Sequence, residues 1–130
     1  MSNKFEMVKN YLQELELNIT HEEPSEELVV VEDVENGIQN LVIDCEDPIV
    51  ILEQFIMETP KDTGDLYKNL LQMNRSLVHG AFVLNEDASK IIFRDTLQLA
   101  NLDLNELEGS IQALSLAMAE FGTTLLGYVK

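Results

Sequence analysis

The strongest constraint on this chain lies between residues 28 and 58, where three β-prone runs follow one another with only turn signals between them. Residues 28–34 are rich in valine, and a branched Cβ favours extended backbone. Glu35, Asn36 and Gly37 come next, and an Asn-Gly pair supplies the positive φ of a tight hairpin. Residues 38–45 carry Leu41, Val42 and Ile43 at their centre. Glu46, Asp47 and Pro48 end that run, because proline has no N–H to give to a ladder. The third run, residues 49–58, opens Ile-Val-Ile-Leu and is apolar on both faces. Periodicity alone cannot separate a buried strand from a helix there. Its β-branched residues and the bounding Pro48 and Pro60 favour a strand. Connections this short imply antiparallel neighbours.

Helical spacing frames this core on both sides. In residues 3–16, Phe5, Val8, Tyr11, Leu12 and Leu15 recur on one helical face. Asn18, Pro24 and Ser25 then read as punctuation. A second helix is expected over residues 63–77, capped by Asp62 or Thr63. Leu66, Leu70, Met73 and Leu77 share one stripe of it, and Tyr67, Leu71, Asn74 and Val78 form another, about 100° away. A helix lying on one sheet needs only the first stripe. The second asks for another partner, either within the chain or beyond it.

Gly80 opens a further hairpin of residues 81–84 and 90–97. Ile91, Phe93 and Leu97 alternate there with Ile92, Arg94 and Thr96, the pattern of a half-buried strand. Asp103 and Glu106 fit a capping-box variant that starts the last helix. From Leu104 to Tyr128 its apolar residues step alternately by three and four, a seam that suits a coiled coil or the chain's own sheet. Poorly charged flanks and Gly109, Gly122 and Gly127 favour the sheet. The expected order is α-β-β-β-α-β-β-α. It makes residues 1–130 a single α+β domain, with an antiparallel, twisted, five-stranded sheet packed with helices.

Composition narrows what such a domain does. Eight basic and 24 acidic residues give a net charge of −16, which repels nucleic acid and anionic membrane surfaces alike. An apolar fraction of 45% is too high for a disordered acidic chain. Residues 1–60 hold 15 acids and two bases, a net of −13, against nine and six in residues 61–130. Acidity is therefore concentrated in the first helix and the early strands. One cysteine, Cys45, cannot form an intrachain disulfide and fits a reducing compartment. Met1 to Asn10 carries no apolar run, and no stretch approaches the length of a membrane helix, so a cytoplasmic location is expected.

No catalytic constellation emerges, and no enzyme and no cofactor are expected. Asp44, Cys45, Glu46 and Asp47 form the densest set of potential ligands, yet one strand and one turn cannot close a coordination sphere. A cation or small ligand at that turn is the weaker alternative, and no metal residue is assigned. Cys45 has no neighbouring histidine or cation to lower its pKa. His21 and His79 belong to no metal motif, and His79 sits at a helix-to-strand corner. Arg94 and Asp95 are adjacent on a strand and point to opposite faces.

The stretch Leu70-Leu71-Gln72-Met73-Asn74 and the run from His79 to Asp87, together with the element order, carry a resemblance. It continues through Ile91-Ile92-Phe93-Arg94, Leu97-Gln98-Leu99 and Leu102-Asp103 into the last helix. These residues resemble the type III secretion chaperone-like fold of small acidic class I chaperones such as CesT and SycE. Within it, they are most similar to the bacterial "molecular chaperone Tir" or YbjN-like group. The resemblance implies a non-enzymatic homodimer with the second helix at the two-fold, where Tyr67, Leu71, Asn74 and Val78 are candidates. It implies a client or regulatory protein as partner, held on apolar strand and helix surfaces, for which Leu28, Val30, Leu41 and Ile43 are candidates. A YbjN-like sensory or regulatory role is the alternative.

Overall fold

Alternating burial along each strand sorts the side chains onto two faces of one sheet. The computed structural model describes residues 3–129. Helix α1 (Asn3–Glu14) leads into four strands in succession, β1 (Asn18–Glu23), β2 (Leu28–Asp33), β3 (Ile38–Glu46) and β4 (Ile49–Glu58). Helix α2 (Leu66–Asn74), the hairpin β5 (Ala81–Leu84) and β6 (Lys90–Gln98), and helix α3 (Leu104–Leu126) complete the chain. The strands lie in the order β1-β2-β3-β4-β6-β5, each antiparallel to its neighbours.

The α+β class and the antiparallel sheet agree with expectation, but the sheet has six strands instead of five. The additional strand is β1, in a segment that reads as punctuation. Only Ile19 of Asn-Ile-Thr-His-Glu-Glu is strongly apolar, and its side chain packs at the margin of the core. The segment is extended because β2 offers it a ladder, with a register shift between Ile19 and His21. Lys9 of α1 holds Glu22 at 2.9 Å and fixes this edge to the helix layer.

Helix α2 is shorter than its stripes suggest. Gly64 has φ +50°, so a helix cannot run through it from Thr63. Asp62 accepts from the Gly64 N–H at 3.1 Å, closing a turn ahead of the helix. At the other end, the N–H groups of Arg75, Ser76 and Leu77 bond three residues back, tightening and ending the last turn. In α3, by contrast, Asp103 caps as expected and accepts from the Glu106 N–H at 2.7 Å.

The core lies on one side of the sheet. Phe5, Val8 and Leu12 of α1, Leu66, Leu70 and Met73 of α2, and Leu107, Ile111 and Leu114 of α3 are buried. They meet Val29, Val31, Leu41, Ile43, Val50, Leu52, Ile91 and Phe93 from the strands. Each fully buried side chain of this size contributes about 1.5–3 kcal/mol of transfer free energy. Among the described residues, Ser110 and Gln54 are the buried polar residues of this layer, and both are hydrogen-bonded. Ser110 of α3 donates to Asp95 of β6 at 2.7 Å. Gln54 of β4 accepts from the Gln39 N–H at 2.9 Å and donates to the Gly37 carbonyl at 3.0 Å.

Candidate protein-binding surface

Strand alternation leaves the second face of the sheet without a helix. Leu28 and Val30 of β2, Val42 of β3, Ile49 and Ile51 of β4, and Ile92 of β6 all point there. Each is half-buried by its lateral neighbours, and none is fully covered. Phe55 on the same face is 52% exposed. Cross-strand register builds rows across this surface. One row runs Leu28, Asp44, Ile51, and the next runs Val30, Val42, Glu53, Arg94. Arg94 forms an ion pair with Glu53 in the middle of the sheet. Carboxylates are thereby interleaved with apolar side chains.

The two edges of the sheet differ. At β5, Asn74 of α2 donates to the Phe82 carbonyl at 3.1 Å and accepts from the Phe82 N–H at 2.7 Å. The centre of that short strand is thus occupied. At β1 the edge carries His21, Glu22 and Glu23, with His21 bonded to Glu23 at 2.8 Å. Charge and an irregular register both discourage casual pairing at an edge.

The sequence-derived interface candidates fall in different places. Tyr67 and Leu71 lie on the outward side of α2, and Leu71 is 73% exposed. Tyr67 is 38% exposed, so Leu71 is the more open of the two. Val78 is 86% exposed but follows the helix, so a helical stripe does not describe it. Asn74 is committed to Phe82, a role the stripe did not suggest. Of the client candidates, Leu28 and Val30 are half-buried on the open face. Leu41 and Ile43 are fully buried under the helices, so core packing replaces client contact for those two.

The candidate ligand turn does not converge. Asp44 points to the open face, Cys45 points into the core, and Asp47 lies 3.6 Å from Lys4. Among the described residues, no three His, Cys, Asp or Glu side chains are placed to hold one metal ion. Burial, reinforced by Glu27 and Asp44, pushes the Cys45 thiol up to about 12. Burial also raises the Asp44 carboxyl above its usual 3.8, with Glu46, Glu26 and Glu53 adding to the effect. Its Oδ1 is buried with no hydrogen-bond partner. Arg94 and Asp95 do point to opposite faces, one to Glu53 and the other to Ser110.

Sequence reasoning missed Gln54, Asn74 and Tyr128 as organising polar groups. Tyr128 donates to Asp65 at 2.6 Å and accepts from Asn69, so the end of α3 is pinned to the start of α2. Polar residues inside apolar runs, such as Gln54 between Leu52 and Phe55, were the available signal.

The family model CesT_Tir_1 matches residues 1–130. The chain belongs to the CesT_Tir_1 family. Among solved structures, this CesT_Tir_1 chain is similar to YbjN from E. coli, with a TM-score of 0.69 and 14% identity. That match covers 93% of this chain and 92% of YbjN. It is also similar to a chain of the HopA1-SchA chaperone-effector complex, with a TM-score of 0.63 and 16% identity, covering 92% and 94%. At these identities the likeness establishes the chaperone-like fold. Comparison with curated proteins finds no match. No helix among the described residues is long and apolar enough to cross a membrane.

Proposed function

We propose that this CesT_Tir_1 chain is a homodimeric, non-enzymatic protein-binding domain that holds a segment of a partner protein, acting in the cytoplasm. The observation that carries this reading is the helix-free sheet face, where Leu28, Val30, Val42, Ile51 and Ile92 form an apolar field with carboxylates between them. An extended segment laid on such a face gains apolar burial and polar contacts together. The similarity to a chain of a chaperone-effector complex supports the same reading. Tyr67 and Leu71 are the proposed dimer contacts, since α2 presents both outward.

The test has two parts. Light scattering on the purified protein should report twice 14.7 kDa, and Leu71→Glu should return it to the monomer mass. Partners cross-linked in the native cytosol should map to the open face or to α2. A monomeric wild type removes the dimer. A protein that yields no polypeptide partner under several salt conditions removes the client-holding reading.

A second reading is a YbjN-like regulatory module that acts within a folded complex, favoured by the likeness to YbjN, described as a candidate transcription regulator. Unfolded peptides compete with a client but not with a folded regulatory partner, so competition separates the two.

A further inference from the structure

Resting on the client-holding reading, we propose that the open face of β1 to β4 takes an extended segment whose sheet-facing side chains, every second residue, are apolar and basic in turn. From residue 10 to residue 60 the chain holds 14 acids and no lysine or arginine. This stretch supplies the first four strands. Glu23, Glu32, Asp44, Glu46 and Glu53 therefore share the open face with Leu28, Val30, Val42, Ile49 and Ile51. The register sets Asp44 between Leu28 and Ile51, and Val42 between Val30 and Glu53. In the row Glu23, Leu28, Asp44, Ile51, anionic and apolar positions alternate across the strands. A segment laid on this pattern is matched by the same alternation of apolar and cationic groups.

Two side chains show what the surface lacks. Glu53 is met within the chain by Arg94, at the boundary with β6. Asp44, one strand further from Arg94, has a buried Oδ1 with no donor. The Asp44 side chain as a whole is half-buried, and a lysine or arginine laid on this face would give its carboxylate the cation that Arg94 gives Glu53. Leu28 and Ile51, the cross-strand neighbours of Asp44, would shield the new pair from water. A metal ion is a poorer match, because no three ligand side chains among the described residues converge. An anionic or purely apolar segment would leave Asp44 unpaired.

Fluorescence anisotropy with three labelled probes tests this. The probes are equal-length extended peptides of repeat Val-Ser-Xaa-Ser, in which Xaa is lysine, glutamine or glutamate, so that valine and Xaa share one face. The lysine peptide should bind about tenfold more tightly than the glutamine peptide at low salt, and high salt should erase most of that advantage. Asp44→Asn and Ile51→Thr should each weaken the lysine peptide. Glu86→Gln removes an equal charge from the β5–β6 loop and should leave it unchanged. Melting curves of the variants confirm that each is folded. If Asp44→Asn and Glu86→Gln weaken binding equally, attraction to the net charge is the cause and the proposal is overturned. If the glutamine and lysine peptides bind equally, the basic preference is wrong while the client-holding reading stands. If no peptide binds, the proposal falls, and partner cross-linking separately decides the broader reading.

Discussion

The side chain of Asn74 takes both outward backbone groups of Phe82, donating to its carbonyl and accepting from its N–H. The Asn85 N–H bonds to the Lys90 carbonyl, so antiparallel alternation turns the Phe82 backbone away from β6. One amide thus does at the sheet edge what another strand would do. Phe82 also stacks edge-on against Phe93 and Phe121, which ties this contact to the core and to α3.

Replacing Asn74 with alanine leaves a donor and an acceptor of Phe82 without partners. Each unpaired group costs about 1–3 kcal/mol where water cannot reach it. Asn74→Ala should therefore lower stability by about 2 kcal/mol in urea denaturation. It also opens β5 as an edge, so the variant should self-associate more readily on light scattering. Asn74→Asp keeps the acceptor alone and should fall between alanine and wild type.

Much of this architecture is legible in the residues, for identifiable reasons. Strands β2 to β4 and β6 alternate or run apolar because their helix-facing side needs large side chains, and Asp103 is a cap by its own chemistry. β1 is not legible, because a polar edge strand is made by its neighbour's hydrogen bonds. The end of α2 is not legible either, since Leu77 and Val78 continue the stripe past Arg75, where the backbone tightens. For the candidate surface, apolar residues alone do not say which face they take. Leu28 and Val30 differ from Leu41 and Ile43 in what packs above them, and the placement of three helices on one side decides that.

Gln54 repairs the ladder where β3 leaves β4. Asn40 has φ +55°, and regular β3–β4 pairing begins only at Val42 and Glu53. The Gln54 amide bridges the gap to Gln39 and Gly37. Gln54→Leu keeps the volume and removes both bonds. It should cost about 2 kcal/mol, checked by urea denaturation. Hydrogen exchange should show faster opening around residues 37–40 than around residues 42–45.

Cys45 should be inert in the native protein. Its thiol is buried and pushed up to about 12, so almost no thiolate exists at neutral pH. Ellman's reagent at pH 8 should label it only at the rate of unfolding, and fully in denaturant. Rapid stoichiometric labelling of folded protein would contradict the placement.

Asp44 should make stability depend on pH in the direction opposite to an ordinary salt-bridged carboxylate. Its folded pKa is raised above 3.8, chiefly by burial. Between the raised value and 3.8, the folded state binds more protons than the unfolded state, so this residue adds stability as pH falls through that window. Above the window it is a charged, partly desolvated group and works against the fold. Asp44→Asn should therefore raise the melting temperature at neutral pH, with the gain vanishing below the unfolded value. Melting curves of both proteins across the acid range would show this, and a gain that persists unchanged below pH 3.8 would assign the effect to packing. The same substitution should weaken the lysine peptide. A variant more stable yet poorer in binding separates the two roles of this carboxylate, because loss of fold predicts both quantities to fall together.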